Sequence, residues 1–513
     1  MAKASTDRDS TYSPLVELSL GSSLDENTSL ITSLFENVEL LRERHFENAA
    51  APHIRFCVYF CEGLVNSDLI SRHIIEPLIL SKTLDNTKDL LHDIKSRVLT
   101  AGEVKCCAAV DVIVEAITYG DTVLFVGDSR QALVISSKNF ALRSISEPEG
   151  ERVLSGPREG FTEGIIFNLS MVRRRLRTHE LKFEFLRLGI HSKTSLCIVY
   201  MDNIVNKNIL KELRRRLHDI QLDAILDANY VAEYIAEKST MGFATAGTTE
   251  RPDVVVGKLM EGRIALFVDG SPVVLTLPYL FIENFQSSED YYLDPIYTSF
   301  ARILRILCFI LTVTVSGLYI AVVAYQHEIL PPALMVNFTS ERTGVPLPAA
   351  PECFVMLLLF DILRETGVRM PNHVGQTMSV VGALVIGQAA VAANLVAAPM
   401  VIIVAFTGIT ILLVPRLTTA SLIGRYLCLT LASLLGFVGL MISMAVILIH
   451  ILNLQSFGVP SLLYPPALRF QEVKDLFIRA PWPKMLTRTL PVSYNVVRQE
   501  EQHKNLSKSG RKA

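Results

Sequence analysis

The stretch CVYFCEGLVNSDLI, Cys57–Ile70, returns 140 residues later as CIVYMDNIVNKNIL, Cys197–Leu210. A cysteine, β-branched positions, an asparagine and two closing apolar residues match without a gap. A second pair sets DVIVEAITYGD (Asp111–Asp121) over DVVVGKLMEGR (Asp253–Arg263), offset by 142. A third sets LFVGDSRQALVI, from Leu124, over LFVDGSPVVLT, from Leu266. Three pairs at nearly one offset mark an internal duplication. Each copy opens on a β-branched and aromatic run, which predicts a strand. A helix follows near Asn66 or Asn206, where the asparagine side chain can accept from the free N–H groups of a first turn. A later helix, Asp253 to Met260 in the second copy, precedes two strands joined by Gly-Asp or Asp-Gly, residues that tolerate hairpin-turn backbone. The expectation is an α/β N-terminal region of two similar subdomains, over 50–145 and 190–295, after a variable segment over 1–49.

The connecting segment, 146–189, contains SGPREGFTEGIIFNLSMVRRRLR, Ser155–Arg177. A phosphate-binding loop needs glycines before a helix N-terminus and usually a lysine. This stretch lacks the lysine and has Glu159 and Glu163 where an anion would sit. The two carboxylates suit the positive end of a helix dipole, and Arg173, Arg174, Arg175 and Arg177 suit the negative end. A helix from Thr162 to Arg177 is expected, entered at Thr162 or Pro157. No aromatic residues interleave with the arginines, which argues against nucleic-acid binding. The basic face is either solvated or set against a membrane or another subunit.

Half of the 513 residues are hydrophobic and the formal net charge is −2. Mean hydropathy is +0.36. The apolar excess lies after Ile303, where uncharged runs reach membrane length. ILCFILTVTVSGLYIAVVAY, Ile306–Tyr325, predicts one span, with Arg302 and Arg305 ahead of it on the cytoplasmic side. Val374–Val414 is long enough for two spans hinged near Pro399, and Tyr426–Ile451 reads as one more. The apolar run Cys353–Leu363 carries Asp361 and is too short for a full span, which suggests a re-entrant, interfacial or pore-lining helix. Ionisable groups at membrane depth are functional candidates, here Glu352, Asp361 and Glu365, unless they lie among the headgroups or pair with Arg364 and Arg369. Gly382 and Gly387 belong to a run of small residues suited to close helix packing, and Gln388 stands among them. The whole reads as a polytopic all-α membrane domain over 296–455, in four to six segments, with a cytoplasmic tail over 456–513. The N-terminus MAKASTDRDSTYSPLVELS has no apolar core of the signal-peptide kind, so the α/β region is expected in the cytoplasm.

The eight cysteines sit mostly in apolar patterns and read as small buried hydrophobes. Cys106 and Cys107 are adjacent, and Cys57 and Cys61 alone are too few for zinc. No Gly-x-Ser-x-Gly, His-Glu-x-x-His or kinase motif set occurs. His327-Glu328 is a lone pair at the end of a span.

Long strings then carry a resemblance. They include SEPEGERVLSGPREGFTEGIIFNLSMVRRRLRTHELKFEFLRLGIHSKTSLCIVYMDNI, TTERPDVVVGKLMEGRIALFVDGSPVVLTLP, SSEDYY, ARILRIL, YQHEILPPAL, LRETGVRMP, VGQTMSVVGALVIGQAAVAANLVAAP and SFGVP. Through them the chain resembles the A subunits of the GerA-type spore germinant receptors of endospore-forming Firmicutes, over nearly everything after Ile54. Local departures are MGFATAG in place of a Pro-Phe-Pro-like stretch, Leu357 and Asp361 where glutamates are common, and Ser461 in place of an aromatic. The resemblance implies a multi-pass protein of the spore inner membrane, with a transporter-like, germinant-binding B subunit and a lipoprotein C subunit as partners. It implies a homo-oligomeric, ligand-gated channel for monovalent cations that triggers germination, with no enzymatic activity and no cofactor. Glu352, Asp361, Glu365, Gly382, Gly387 and Gln388 are then candidates for pore or gate. Arg158, Glu159, Glu163, Arg173, Arg174, Arg175, Glu250, Arg251 and Asp253 are candidates for coupling between subdomains or subunits. The competing readings are a secondary transporter with its path at the broken helix near Pro399, and a non-conducting scaffold for the B subunit.

Overall fold

The computed structural model describes residues 18–82, 84, 90–100, 103–137, 148, 150–369, 385, 387–462, 475–485, 488 and 492. The chain divides into two units. One holds the described residues up to Ile235 and Thr248–Leu277, and the other holds Ala236–Gly247 and the described residues from Pro278 to Met485.

The first unit carries two five-stranded sheets of one topology. The first comprises β1 (Leu41–Glu47), β2 (Arg55–Cys61), β3 (Val104–Cys107), β4 (Thr122–Val126) and β5 (Ala132–Ile135), ordered β1-β2-β4-β5-β3. The second comprises β6 (Leu181–Leu188), β7 (Thr194–Met201), β8 (Gly247–Thr249), β9 (Ile264–Val268) and β10 (Val274–Leu277), ordered β6-β7-β9-β10-β8. The quoted cysteines occupy matching places, with Cys57 opposite Phe125 and Cys197 opposite Phe267. Both predicted hairpins form, β4 with β5 and β9 with β10. Asn66 and Asn206 cap the helical segments after β2 and β7, accepting from Leu69 N and Asn208 N.

The duplication reaches further than the matched strings. Helix α1 (Leu24–Leu34) leads into β1, and the corresponding helix (Ile165–Arg175) leads into β6. Asn27 bonds both backbone groups of Gly21, and Asn168 does the same to Thr162. Asp128 accepts from Leu24 N, and Asp269 accepts from Ile165 N. The first sheet therefore begins ahead of residue 50. The segment 146–189, expected as a linker, supplies the first helix and strand of the second sheet. That helix runs from Ile165, with Gly164 at its N-cap, rather than from Thr162. Its start is held by Asp269 from the β9–β10 turn, because glycine has no side chain to cap it.

Alternation along β2 and β4 gives the first sheet two buried faces. Phe56, Val58, Leu124 and Val126 pack with Ile70, Ile74 and Leu78. Cys57, Tyr59, Val123 and Phe125 join one core with Ile31, Leu169, Phe183, Val199 and Phe267, so both repeats share that core.

The second unit is helical. Helices Pro295–Ala324 and Pro415–Leu435 are each long and apolar enough to cross a membrane, by length and composition. Helix Ala349–Arg369 has 21 residues, extending the short apolar segment expected around Asp361 by more than a turn at each end. Residues 387–392 are helical, Asn394 takes a positive φ of 54°, and a new helix starts at Ala398 with Pro399 in its first turn. Positions 374–384 and 386 of the expected first span there lie outside the described residues.

Tyr426–Ile451, expected as a single span, is a helical hairpin. Helices Thr418–Leu435 and Phe437–Asn453 meet at Gly436, where φ is 62° and ψ is −136°. Only glycine adopts that backbone without strain. Ser443 Oγ lies 3.2 Å from Cys428 Sγ. In a straight helix those 15 residues would span about 22 Å.

Candidate functional site

Two charged constellations stand out, one in each unit. In the first unit, Arg251 is buried at the N-cap of helix Pro252–Met260. Its guanidinium bonds both carboxylate oxygens of Asp253, at 3.1 and 2.9 Å. It also donates to the carbonyls of Glu151 (3.3 Å) and Pro157 (2.6 Å). The Glu151 carboxylate accepts from Thr249 Oγ1 and Glu250 N, and the Glu250 carbonyl accepts from Phe161 N. Residues 151–161 are thus pinned to the segment that opens helix Pro252–Met260. Planar guanidinium donors can hold a carboxylate and two carbonyls at once, which lysine cannot do in fixed geometry.

Glu159 completes this latch. Arg174 Nη2 lies 2.8 Å from both its oxygens, and Arg175 Nη2 lies 2.5 Å from one. Burial pulls the Glu159 carboxyl upward, but the charges and hydrogen bonds of Arg175 and Arg174 outweigh it and hold the group below its ordinary value. Glu159 was expected at the positive end of the arginine helix. It sits instead against the basic C-terminal turn, because the loop folds back along the helix. Arg173 points the other way and is fully buried. It donates to the carbonyls of Thr178 and Leu181 and lies over the Phe183 ring at 4.6 Å. The side chains of Arg158 and Glu163 are exposed, and the Glu163 carbonyl accepts from Gly270 N.

In the helical unit, Glu352 is buried at 1% exposure. Arg342 Nη1 donates to one of its oxygens at 3.1 Å, and Ala397 N donates to the other at 2.8 Å. That backbone bond fixes the residue just ahead of helix Ala398–Leu412. Asp361 accepts from Arg425 Nη2 at 2.6 Å and from the Tyr426 hydroxyl at 2.9 Å, with Arg364 at 3.9 Å. Arg425 is fully buried, and its Nε and Nη1 have no hydrogen-bond partner among the described residues. Glu365 is exposed. Gly387 is buried, and a Cβ there would meet Val401 at an ordinary 3.5 Å. Gln388 is exposed, and Gly382 lies outside the described residues.

Residue types alone do not disclose several participants. Glu151, Thr249, Arg342, Arg425 and Tyr426 were not anticipated. Arg302 and Arg305, read as flanking charges, both bind Asp290 of the SSEDYY string, at 2.9 and 3.0 Å. Tighter glycine contacts than Gly387 occur at Gly408, where a Cβ would stand 2.2 Å from the Phe360 ring, and at Gly439, where it would stand 1.9 Å from the Leu431 carbonyl oxygen. Among the described residues, one group of side chains lies close enough to share a metal ion, namely Glu43, His45 and Cys57.

Residues 29–490 match the family described as Bacillus/Clostridium GerA spore germination protein. The chain is 37% identical to spore germination protein KA of Bacillus subtilis, over 86% of this chain and 81% of that one. It is 36% identical to the B. subtilis uncharacterized membrane protein YfkQ, over 90% and 89%. A solved structure, the N-terminal domain of the A subunit of the Bacillus megaterium spore germinant receptor GerK3, is 32% identical, with a TM-score of 0.42 over 52% of this chain and 98% of that one.

Proposed function

This chain belongs to the Bacillus/Clostridium GerA family of spore germination proteins, and from that premise we propose that it is the A subunit of a nutrient receptor in the spore inner membrane. In this reading its helical unit oligomerises into a channel that releases monovalent cations when germinant binds. A transporter-like B subunit and a lipoprotein C subunit complete the receptor. The α/β unit lies in the cytoplasm and relays the state of the complex through the Glu151–Arg251–Asp253 and Glu159–Arg174–Arg175 contacts.

The observation that carries the reading is the Asp361–Arg425 pair. A buried ion pair among apolar helices is costly unless it is fully bonded, and two nitrogens of Arg425 have no hydrogen-bond partner among the described residues. Such a half-satisfied pair suits a switch with two arrangements of similar energy, which a ligand can bias. Gln388, exposed just ahead of the break at Asn394, supplies a polar group for a water path. A non-conducting scaffold draws support from Glu352, whose two oxygens are both engaged in structural bonds.

The test is potassium release from spores carrying Asp361→Asn, Gln388→Ala or the double change Asp361→Leu with Arg425→Met, with subunit levels followed by blotting. The channel reading expects slowed or constitutive release at normal protein level in the double variant or in Gln388→Ala. Normal release at normal level in both would leave the scaffold.

A further inference from the structure

We propose that Glu43, His45 and Cys57 form a binding site for a borderline-soft divalent cation, with zinc the ion its donor set selects. The site lies on the first sheet and owes nothing to the receptor reading. Strands β1 and β2 pair so that His45 stands opposite Cys57 and Glu43 opposite Tyr59. Residues two apart on a strand share a face, so all three donors project to one side.

The distances suit the ion. Zinc binds thiolate sulfur at about 2.3 Å and imidazole nitrogen or carboxylate oxygen at about 2.0–2.2 Å, so tetrahedral ligand atoms stand roughly 3.3–3.6 Å apart. Cys57 Sγ lies 3.7 Å from His45 Nε2 and 3.9 Å from Glu43 Oε1. The one separation that must open is His45 Nε2 to Glu43 Oε1, now a 2.5 Å contact. Both side chains are free to make that adjustment, being 56% and 33% exposed. Thr32 Oγ1 donates to the other Glu43 oxygen at 3.3 Å and lies 3.1 Å from the Tyr59 hydroxyl. An outer bond of this kind orients a carboxylate ligand. A groove of about 570 Å³ lined by Thr28, Thr32, Glu36 and Glu43 opens on the Glu43 side of the cluster. Three protein donors leave a fourth position for water or an incoming group. Sulfur, imidazole and carboxylate together favour zinc over magnesium or calcium, which take oxygen ligands.

The second repeat serves as a built-in contrast. Cys197 holds the place of Cys57, but the residues paired as Glu43 and His45 are there Phe183 and Phe185. The same sheet position is apolar in one copy and carries three metal-binding side chains in the other. Coordination would tie the edge strand β1 to its neighbour, with the Cys57 thiol proton passing to solvent as the thiolate binds.

The experiment uses purified full-length chain in detergent, stripped with chelator and titrated with cobalt(II). Wild type is expected to develop a near-ultraviolet thiolate-to-cobalt charge-transfer band that zinc abolishes by displacement. Cys57→Ser should remove the band. His45→Ala and Glu43→Gln, at partly exposed positions, should weaken binding at least about tenfold, since losing a ligand costs no less than the roughly 10–100-fold typical of losing an outer-shell partner. Cys197→Ser should leave it intact. A band that survives Cys57→Ser, an absence of any band in wild type, or unchanged affinity in both His45→Ala and Glu43→Gln would overturn the assignment.

Discussion

Asp361 and Arg425 are 64 residues apart and meet at 2.6 Å. Asp361→Asn would leave a buried guanidinium without its counter-charge, a loss of roughly 3–5 kcal/mol. The single variant should therefore accumulate poorly, and Asp361→Leu with Arg425→Met should restore the level. Equal levels in single and double variants, read by blotting, would show that the pair is solvated. Glu159 tests the other constellation. Glu159→Gln should cost roughly 1–2 kcal/mol, because the two arginine contacts are charge-assisted but about a quarter exposed. Its carboxyl titrates below the ordinary value. The stabilisation is therefore complete above the ordinary carboxylate range and disappears as pH falls through the lowered folded value. Thermal midpoints of wild type and variant should differ at neutral pH and converge in acid. A gap that persists in acid would assign the effect to packing. The charges themselves were legible as candidates. Their partners were not, since neither Arg425 nor Glu151 stands at a local spacing from the residue it serves, and the sequence-based suggestion of Arg364 for Asp361 found only the weaker contact.

Helix ends were easier to read where the capping residue is local. Asn66 and Asn206 announce their helices because the side chain bonds the turn that follows. The helix at Ile165 is capped from the β9–β10 turn, so its start was misplaced by three residues. The hairpin at Gly436 was invisible for a different reason. The run is apolar throughout, and glycines inside such runs usually serve helix packing. Here Gly436 reverses the chain and Gly439 admits the Leu431 carbonyl. Two changes probe the element. In a chain stripped of its other cysteines, Ser443→Cys should form a disulfide with Cys428 under mild oxidant, read as the loss of two alkylatable thiols. A continuous span would hold the two sulfurs about 22 Å apart and leave both thiols free. Gly439→Ala should lower the thermal midpoint, since a methyl group at 1.9 Å from a backbone oxygen forces the two helices apart.

At the scale of the whole chain, the repeat was legible because strands β2, β4, β7 and β9 keep their β-branched and aromatic pattern. Its opening helix and edge strand were missed because they have diverged, with Glu43 and His45 in one copy and Phe183 and Phe185 in the other. The second copy also differs in what interrupts it. Between helix Ala228–Ile235 and β8, the residues Ala236–Gly247 belong to the helical unit. Phe243 there is buried and meets the rings of Phe281, Phe309 and His450 at 5.7, 6.5 and 5.8 Å. Ser239 Oγ lies 3.0 Å from His450 Nε2, and Ser456 Oγ donates to the Thr245 carbonyl at 2.6 Å. MGFATAG is thus an anchor for this loop. Removing a buried ring costs roughly 3–5 kcal/mol. Phe243→Ala should free the loop locally and leave the second sheet intact, because the ring's aromatic partners, Phe281, Phe309 and His450, all belong to the helical unit. Hydrogen exchange should then accelerate over 236–247 while the amides of β7 and β9 keep wild-type protection. If the loop carries changes of state along the chain, spores with the variant should also respond more slowly to germinant at unchanged protein level. Unaltered exchange over 236–247 would mean that the serine and backbone bonds hold the loop without Phe243. Exchange that rises equally in β7 and β9 would mean that the ring stabilises the first unit as well.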